Sequence, residues 1–165
     1  MFDREVLIRI GEKLKARHES VAIAESVTGG LLQAAFSCVP EASLVYQGGM
    51  TLYNIGQKCR HLDIDPLHAL SCNCVSQKIS EELGCRVAFK FTATYGLGIT
   101  GYAASMPEQG VAKAFAYYAI TRQGLVLEQN TIVSGAAEGF STQRFYAEIL
   151  LQKFLICLDS STSPA

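Results

Sequence analysis

Three side chains in the first third of the chain could together carry out acyl transfer without a histidine. Ser26 lies in the segment 24–30, Ala-Glu-Ser-Val-Thr-Gly-Gly, and is followed by Tyr53 after 27 positions and by Lys58 after 32. A lysine whose pKa is lowered by burial or by positive neighbours can take the proton from a serine hydroxyl. A nearby tyrosine can relay protons or orient the amine. The spacing therefore predicts a hydrolase site built on a serine nucleophile.

Ser26 is expected where a strand meets a helix. Residues 21–24 read as a buried strand, and the apolar positions of 31–36 fall on one face of a helix. The free N–H groups at such a junction can bind an oxyanion or a phosphate, so the backbone of 28–30 supplies candidate donors. A serine or threonine before a helix is also a common N-cap, and Ser26 alone would indicate no more than that.

The segments around these residues resemble the C-terminal domain family of the competence-damage-inducible protein CinA. The resemblance extends over nearly the whole chain. The family motifs match the segments 24–30 and 40–43, then Gly49, Tyr53 and Lys58, then Val75-Ser76 at the start of a helix and Thr100-Gly101 after a strand.

Active members of that family are nicotinamide-nucleotide amidases, and the resemblance implies the same reaction here. Ser26 would attack the carboxamide carbon of nicotinamide mononucleotide, Lys58 would accept the serine proton, and Tyr53 would help to pass it to the leaving ammonia. The resemblance implies a small nucleotide substrate, no cofactor and no metal. The substrate-binding candidates are Glu25, Thr28, Gly29, Gly30, Gly49, Thr100, Gly101 and Arg144.

Three of these candidates have a second interpretation. Glu25 either orients the serine or is a solvated charge that the helix dipole favours. Thr28 either bonds the phosphate or caps the helix. Arg144 either pairs with the phosphate or forms an ordinary salt bridge on a helix surface.

The chain departs from the family at places expected to shape the pocket. The loop 103–110 lacks the usual Ala-Gly-Pro and its glycine-rich continuation, an acidic residue is missing before Lys58, and only Arg144 remains of two arginines near the C-terminus. These changes leave a second function open, in which the fold persists as a nucleotide-binding or partner-binding module without activity. The retained Ser26, Tyr53 and Lys58 favour an amidase of this or another carboxamide.

The net charge and the lengths of the apolar runs indicate which classes of partner the protein can bind. The formal net charge of −1 offers no basic surface for nucleic acid, so DNA binding is disfavoured. No apolar run reaches the ~18 residues that span a bilayer, and the N-terminus does not resemble a secretion signal, so we expect a cytoplasmic protein without a membrane partner. The family's tendency to self-associate and the apolar stretch 111–120 predict a homo-oligomer.

Cysteines, histidines and one glycine pattern suggest other chemistry, which their context disfavours. The six cysteines include Cys72-Asn73-Cys74, whose spacing is not that of a zinc knuckle, so free thiols are expected. The three histidines follow no metal-ligand spacing and are assigned to the surface. The glycines of 96–101 formally match a dinucleotide fingerprint, but Pro107 and Gly110 leave no room for the helix that it requires.

The element order predicts an α/β protein: one three-layer α/β/α domain over 1–158 with a mixed sheet, and a polar, disordered tail over 159–165. A break at 48–49 is expected to aim Tyr53 at the site, and a hairpin is expected around Gln123-Gly124. Helices are predicted over 3–17, 29–38, 75–87 and 140–158, strands over 21–25, 43–53, 91–99, 111–121 and 125–133, and a connection around 63–66.

Overall fold

A computed structural model of the chain describes residues 2–135 and 138–160. Its α-helices are α1 (Arg4–Ala16), α2 (Leu31–Ser37), α3 (Ile55–Leu62), α4 (Pro66–Ser71), α5 (Gln77–Lys90) and α6 (Phe140–Ser160). Its strands are β1 (Val21–Glu25), β2 (Tyr46–Thr51), β3 (Tyr95–Tyr102), β4 (Phe115–Arg122) and β5 (Leu125–Val133). None of the helices in these residues could span a membrane.

The strands form a single mixed sheet in the order β2-β1-β3-β4-β5. The first three strands are parallel, whereas β4 and β5 are antiparallel and make the hairpin predicted around Gln123-Gly124. The chain leaves β1 to reach β2 on one side and later returns to β3 on the other. The carboxyl end of β1 is therefore a switch point, which is where open α/β sheets bind their ligands.

Helices cover both faces of the sheet and complete the predicted three layers. Alternate residues of β1 face opposite cores, as the period of a strand requires. Val21 and Ile23 pack with residues of α1, α2 and α6, whereas Ala22 and Ala24 pack with residues of α3 and α5. All five residues of β1 are buried, so the strand that carries the nucleophile candidate is held from both sides.

Two glycines of β3 allow α5 to lie directly on the sheet. A Cβ on Gly96 would lie 1.9 Å from the carbonyl oxygen of Gly84, and a Cβ on Gly98 would lie 2.0 Å from that of Ser80. Gly101 also lies within the strand, where a Cβ would lie 2.3 Å from the Phe115 carbonyl oxygen. In the structure these glycines of the pattern that resembles a dinucleotide fingerprint therefore serve close backbone packing.

The segment between β2 and α5 differs most from prediction. Residues 55–62 and 66–71 form α3 and α4, where a connection was expected. Asn54 and Asp65 cap these helices with their side chains, and Pro66 occupies the first turn of α4. These cap signals are present in the sequence, but the helices are too short to show a clear apolar period.

Strand β2 is shorter than predicted and ends before Tyr53. Residues 42–44 form a 3-10 turn, and the strand covers only Tyr46–Thr51. The predicted irregularity is present, because the pairing register shifts between Val21 and Ala22, opposite Gly48, whose φ is +120°. The remaining boundaries move by a few residues, most of all at β3 and β4, which begin four residues later than predicted.

The C-terminal helix extends past the expected domain end. Asp159 and Ser160, assigned above to the tail, belong to α6, and Asp159 pairs with Lys13 at 2.6 Å. The rest of the predicted tail, 161–165, lies outside the described residues.

Candidate functional site

A cavity of about 580 Å³ opens at the carboxyl ends of β1 and β3, at the switch point of the sheet. Segments from several parts of the chain form its walls, including the turn after β1, helices α3 and α4, and the loop after β3. The lining residues are Ser26, Val27, Tyr53, Asn54, Ile55, Lys58, Ala69, Leu70, Asn73, Cys74, Val75, Thr100, Gly101, Tyr102, Ala103, Ala104, Met106 and Gln143.

Ser26 and Lys58 meet at the base of this cavity. The Lys58 Nζ lies 3.0 Å from the Ser26 Oγ and donates a second hydrogen bond, of 2.8 Å, to the carbonyl oxygen of Leu52. Ser26 is 7% exposed and Lys58 is 1% exposed. The structure thus brings together the two side chains that the spacing predicted as nucleophile and base, and a hydroxyl and an amine within hydrogen-bond reach can carry out such chemistry.

Burial makes the Lys58 amine a better base at neutral pH. Removal of the charged form from water lowers the pKa of Lys58 below its ordinary 10.5, while the nearby thiols of Cys74 and Cys59 act in the opposite direction. The neutral amine keeps a lone pair for the serine proton. Burial also raises the pKa of Cys74, which favours the protonated thiol, while the charge of the neighbouring Lys58 acts in the opposite direction.

Glu25 lies behind Ser26 and holds the following turn together. It is fully buried and accepts hydrogen bonds from the Thr28 hydroxyl at 2.5 Å, from the backbone N–H groups of Leu32 and Gln33 at 3.1 and 3.0 Å, and from the Gln33 side chain at 2.9 Å. The interpretation as a solvated charge is wrong, and the structure places Glu25 in the orienting role behind the serine, outside the cavity lining. Thr28 is equally buried, and its hydroxyl is already bonded to Glu25.

The two glycines after Thr28 shape the turn without forming the cavity wall. Gly29 and Gly30 have φ values of +63° and +105°, which favour glycine, and the Gly29 N–H donates to the Ser26 carbonyl at 3.1 Å. Neither residue lines the cavity, in contrast to Val27. The Val27 N–H has no acceptor among the described residues, which makes Val27 a candidate oxyanion donor in addition to the predicted backbone of 28–30.

Gln143 is a cavity residue that sequence reasoning missed. Its Nε2 donates a hydrogen bond of 3.0 Å to the carbonyl oxygen of Val27, which ties α6 to the turn that carries the serine. The neighbouring Arg144 is half-exposed, pairs with Glu148 at 3.4 Å and does not line the cavity. Of the two interpretations of Arg144, the structure shows the ordinary surface salt bridge, and a phosphate contact stays a prediction.

The remaining substrate-binding candidates are mainly structural. Gly49 lies outside the cavity wall and packs against β1, where a Cβ would lie 2.5 Å from the Ile23 carbonyl oxygen. Thr100 and Gly101 do line the cavity, but the Thr100 hydroxyl is committed to the carbonyl oxygen of Cys74 at 2.7 Å. Gly101 contributes backbone to the wall.

Tyr53 lies at the cavity rim with its side chain largely in solvent. It is 75% exposed, and no hydrogen bond joins its hydroxyl to Ser26 or Lys58. The proton-transfer role expected of Tyr53 therefore stays a prediction. A second aromatic residue, Tyr102, was missed by sequence reasoning, and its hydroxyl accepts a hydrogen bond of 3.1 Å from Asn73.

Comparisons with known proteins agree with the fold and with the motifs. A sequence model of the CinA C-terminal domain matches residues 3–143. A CinA-like protein of Desulfovibrio desulfuricans is 40% identical over 93 residues, which are 56% of this chain and 22% of that protein. A CinA-like protein of Amoebophilus asiaticus is 36% identical over 99 residues, which are 60% of this chain and 23% of that protein. The matched part is thus less than a quarter of either relative's length.

A solved structure shows the same architecture. The competence damage-inducible protein A of Klebsiella pneumoniae superposes with a TM-score of 0.91 at 20% identity, over 98% of this chain and 100% of that one. At this identity the likeness concerns the fold alone.

Proposed function

Because the chain belongs to the CinA C-terminal domain family, we propose that its cavity is the active site of an amidohydrolase that cleaves the carboxamide of a nicotinamide compound. The observation that carries the proposal is the buried hydrogen bond between Ser26 and Lys58. The family resemblance makes nicotinamide mononucleotide the first substrate to test.

In the first step the neutral Lys58 amine accepts the proton of the Ser26 hydroxyl while the oxygen attacks the carboxamide carbon. The hydrogen bond to Leu52 fixes the amine, so its lone pair is available to the serine. The attack produces a tetrahedral intermediate with a negative oxygen. The Val27 N–H is the proposed donor to that oxygen, a contact typically worth about 3 to 4 kcal/mol of transition-state stabilisation.

In the second step the Lys58 ammonium returns its proton to the leaving nitrogen, and ammonia departs. An acyl ester on Ser26 remains. Lys58, neutral again, takes a proton from water as the water attacks the ester, and it then protonates the serine oxygen. The products are the carboxylic acid and ammonia, and the enzyme returns to its starting state.

Tyr53 is proposed to contact the substrate ring, because its side chain stands at the rim and its hydroxyl touches neither Ser26 nor Lys58. Lys58 alone can carry the proton in both directions. The non-catalytic alternative would not need a buried amine against a serine hydroxyl, an arrangement that costs desolvation of the amine.

The test is ammonia release from nicotinamide mononucleotide and nicotinamide riboside by the wild type, Ser26→Ala and Lys58→Ala. We expect both variants to lose about 10²-fold or more in kcat, as removal of a nucleophile or a general base requires. Lys78→Ala is the matched control, since Lys78 lies on the surface of α5 with its side chain 58% exposed.

A fluorophosphonate probe, which acylates activated serines, supplies a second readout. It should label the wild type at Ser26 and leave Ser26→Ala unlabelled. A folded wild type that neither releases ammonia nor reacts with the probe would overturn the proposed function in favour of a binding module.

A further inference from the structure

Among the described residues, the walls of the cavity hold a single basic side chain, that of Lys58. The other lining residues carry no carboxylate, guanidinium or imidazole. Every lysine and arginine of the chain lies within the described residues, so no further cation of this kind belongs to the segments outside them. Arg144, the residue expected to meet a phosphate, points its charge at Glu148 outside the cavity.

Lys58 is not available to neutralise a phosphate. Its Nζ is occupied by Ser26 and by the Leu52 carbonyl, and the residue is 1% exposed. The amine must also be neutral when it acts as the base. A phosphate inside the cavity would therefore face no positive side chain.

Backbone N–H groups at the cavity supply little positive charge in place of the missing cation. Asn54 and Ile55 bring the first turn of α3 to the cavity, and a helix N-terminus supplies roughly half a positive charge. A phosphate monoester carries about −1.5 to −2 at neutral pH. An anion that is buried without a matching positive charge pays a desolvation penalty, so the charge imbalance disfavours a phosphate.

The rim of the cavity is apolar and aromatic. Tyr53 is 75% exposed and Leu70 is 67% exposed, while Tyr102 and Met106 continue the wall on the loop side. Tyrosine faces attract flat rings, and they attract cationic rings in particular. A pyridinium ring matches this surface without any counter-charge from a carboxylate.

We propose that the site takes a phosphate-free aromatic carboxamide, a nicotinamide nucleoside in preference to the corresponding nucleotide. The inference rests on the proposed function and narrows its substrate class. The reaction is unchanged: water cleaves the carbon–nitrogen bond of the carboxamide and yields the acid and ammonia.

The experiment compares nicotinamide riboside with nicotinamide mononucleotide, two compounds that differ only by the phosphate. We expect kcat/KM to be at least tenfold higher for the riboside. A ratio below tenfold, or a preference for the nucleotide, overturns the inference and leaves the amidase proposal intact.

Binding to Ser26→Ala by calorimetry keeps the two proposals distinguishable. If ammonia release is absent but the riboside binds at least tenfold more tightly than the nucleotide, the amidase proposal fails and the substrate class stands. If neither compound binds, or the nucleotide binds more tightly, the substrate class is wrong.

A matched pair of variants tests the physical cause. Leu70→Arg places a cation on the cavity wall, whereas Leu67→Arg places one on the same short helix at a position that is 77% exposed and does not line the cavity. We expect Leu70→Arg to raise the ratio of kcat/KM for the nucleotide to kcat/KM for the riboside at least tenfold, and we expect this gain to shrink at high salt. Equal effects of the two variants would contradict the missing cation as the cause.

Discussion

Leu52 links Lys58 to the strand that carries the serine. The Leu52 carbonyl accepts the Lys58 amine at 2.8 Å, and the Leu52 N–H donates to the carbonyl of Glu25 at 2.8 Å. Glu25 directly precedes Ser26, so one residue fixes the amine relative to the hydroxyl. The 32 positions that separate Ser26 from Lys58 in the chain are thus bridged by the pairing of β1 with β2 and by the first turn of α3.

The pH dependence of kcat/KM should follow the Lys58 amine. The neutral amine is the active form, so the rate rises with pH through the pKa of Lys58 and is lost as pH falls below it. Because burial lowers that pKa, we expect the rise in kcat/KM to occur at a pH below 10.5, the ordinary pKa of a lysine. A pH profile of ammonia release measures the position of this rise. Lys58→Arg should be inactive at every pH tested, because the arginine side chain cannot lose its proton. A rise in kcat/KM at or above pH 10.5 would contradict Lys58 as the base.

Glu25→Gln should destabilise the turn after the serine. The amide replaces one carboxylate oxygen, and each oxygen accepts two hydrogen bonds from buried or half-buried donors. Two donors left unpaired should lower the free energy of unfolding by about 3 kcal/mol. Urea denaturation checks this value.

The matched control for that measurement is Glu41→Gln. Glu41 is largely exposed and pairs with Lys15 on the surface, so its loss should cost under about 1 kcal/mol. Equal effects of the two substitutions would show that Glu25 does not hold the turn.

The sequence was sufficient to predict those parts of the site and of the fold that depend on local motifs and strong periodicity. Ser26 and Lys58 were identified by residue type and spacing, and the sheet was identified by its buried strands. Thr28 and Arg144 each kept two interpretations at the level of the sequence, because the choice depends on which partner is nearest in space: Glu25 for Thr28 and Glu148 for Arg144. The pattern of residue types in one sequence does not show that Gln143 faces the cavity while its neighbour Arg144 does not.

The role of Tyr53 can be determined by comparing a variant that lacks only the hydroxyl with a variant that lacks the whole ring. If the ring forms the rim, Tyr53→Phe should keep kcat/KM within about threefold, while Tyr53→Ala should raise KM about three- to tenfold, since an aromatic contact is worth roughly 0.5–1.5 kcal/mol. Steady-state kinetics with nicotinamide riboside measures both. A fall in kcat of more than a hundredfold in Tyr53→Phe would instead identify the hydroxyl as a proton relay that turns inward with substrate.

Gln143→Ala should lower kcat by about ten- to a hundredfold with little change in KM. Its amide holds the Val27 carbonyl, and the loss lets the turn after Ser26 move relative to the substrate. The neighbouring Arg144→Ala serves as the control, because that side chain lies outside the cavity and should leave kcat unchanged. A rise in KM without a loss of kcat would show that Gln143 binds substrate and does not position the serine.

Several features missed by the sequence analysis come from tertiary packing. Tyr102 and Asn73 reach the cavity from β3 and from the turn after α4, and they join by a hydrogen bond of 3.1 Å. Helices α3 and α4 are short enough that packing decides their formation more than propensity does. Their cap residues, Asn54 and Asp65, are the signals that could have located them.

Gly98→Ala should test whether the glycines of β3 serve helix packing. The added Cβ would lie 2.0 Å from the Ser80 carbonyl oxygen and 2.6 Å from the Gly84 backbone nitrogen, so α5 must move away from the sheet. We expect the free energy of unfolding to fall by about 3 kcal/mol, at the upper end for an overpacked core. Gly135→Ala is the control, because nothing lies within 4 Å of the Cβ it would add. Thermal and urea unfolding of both variants measure the difference, and a Gly98→Ala protein as stable as Gly135→Ala would show that the close approach of α5 to β3 is not required.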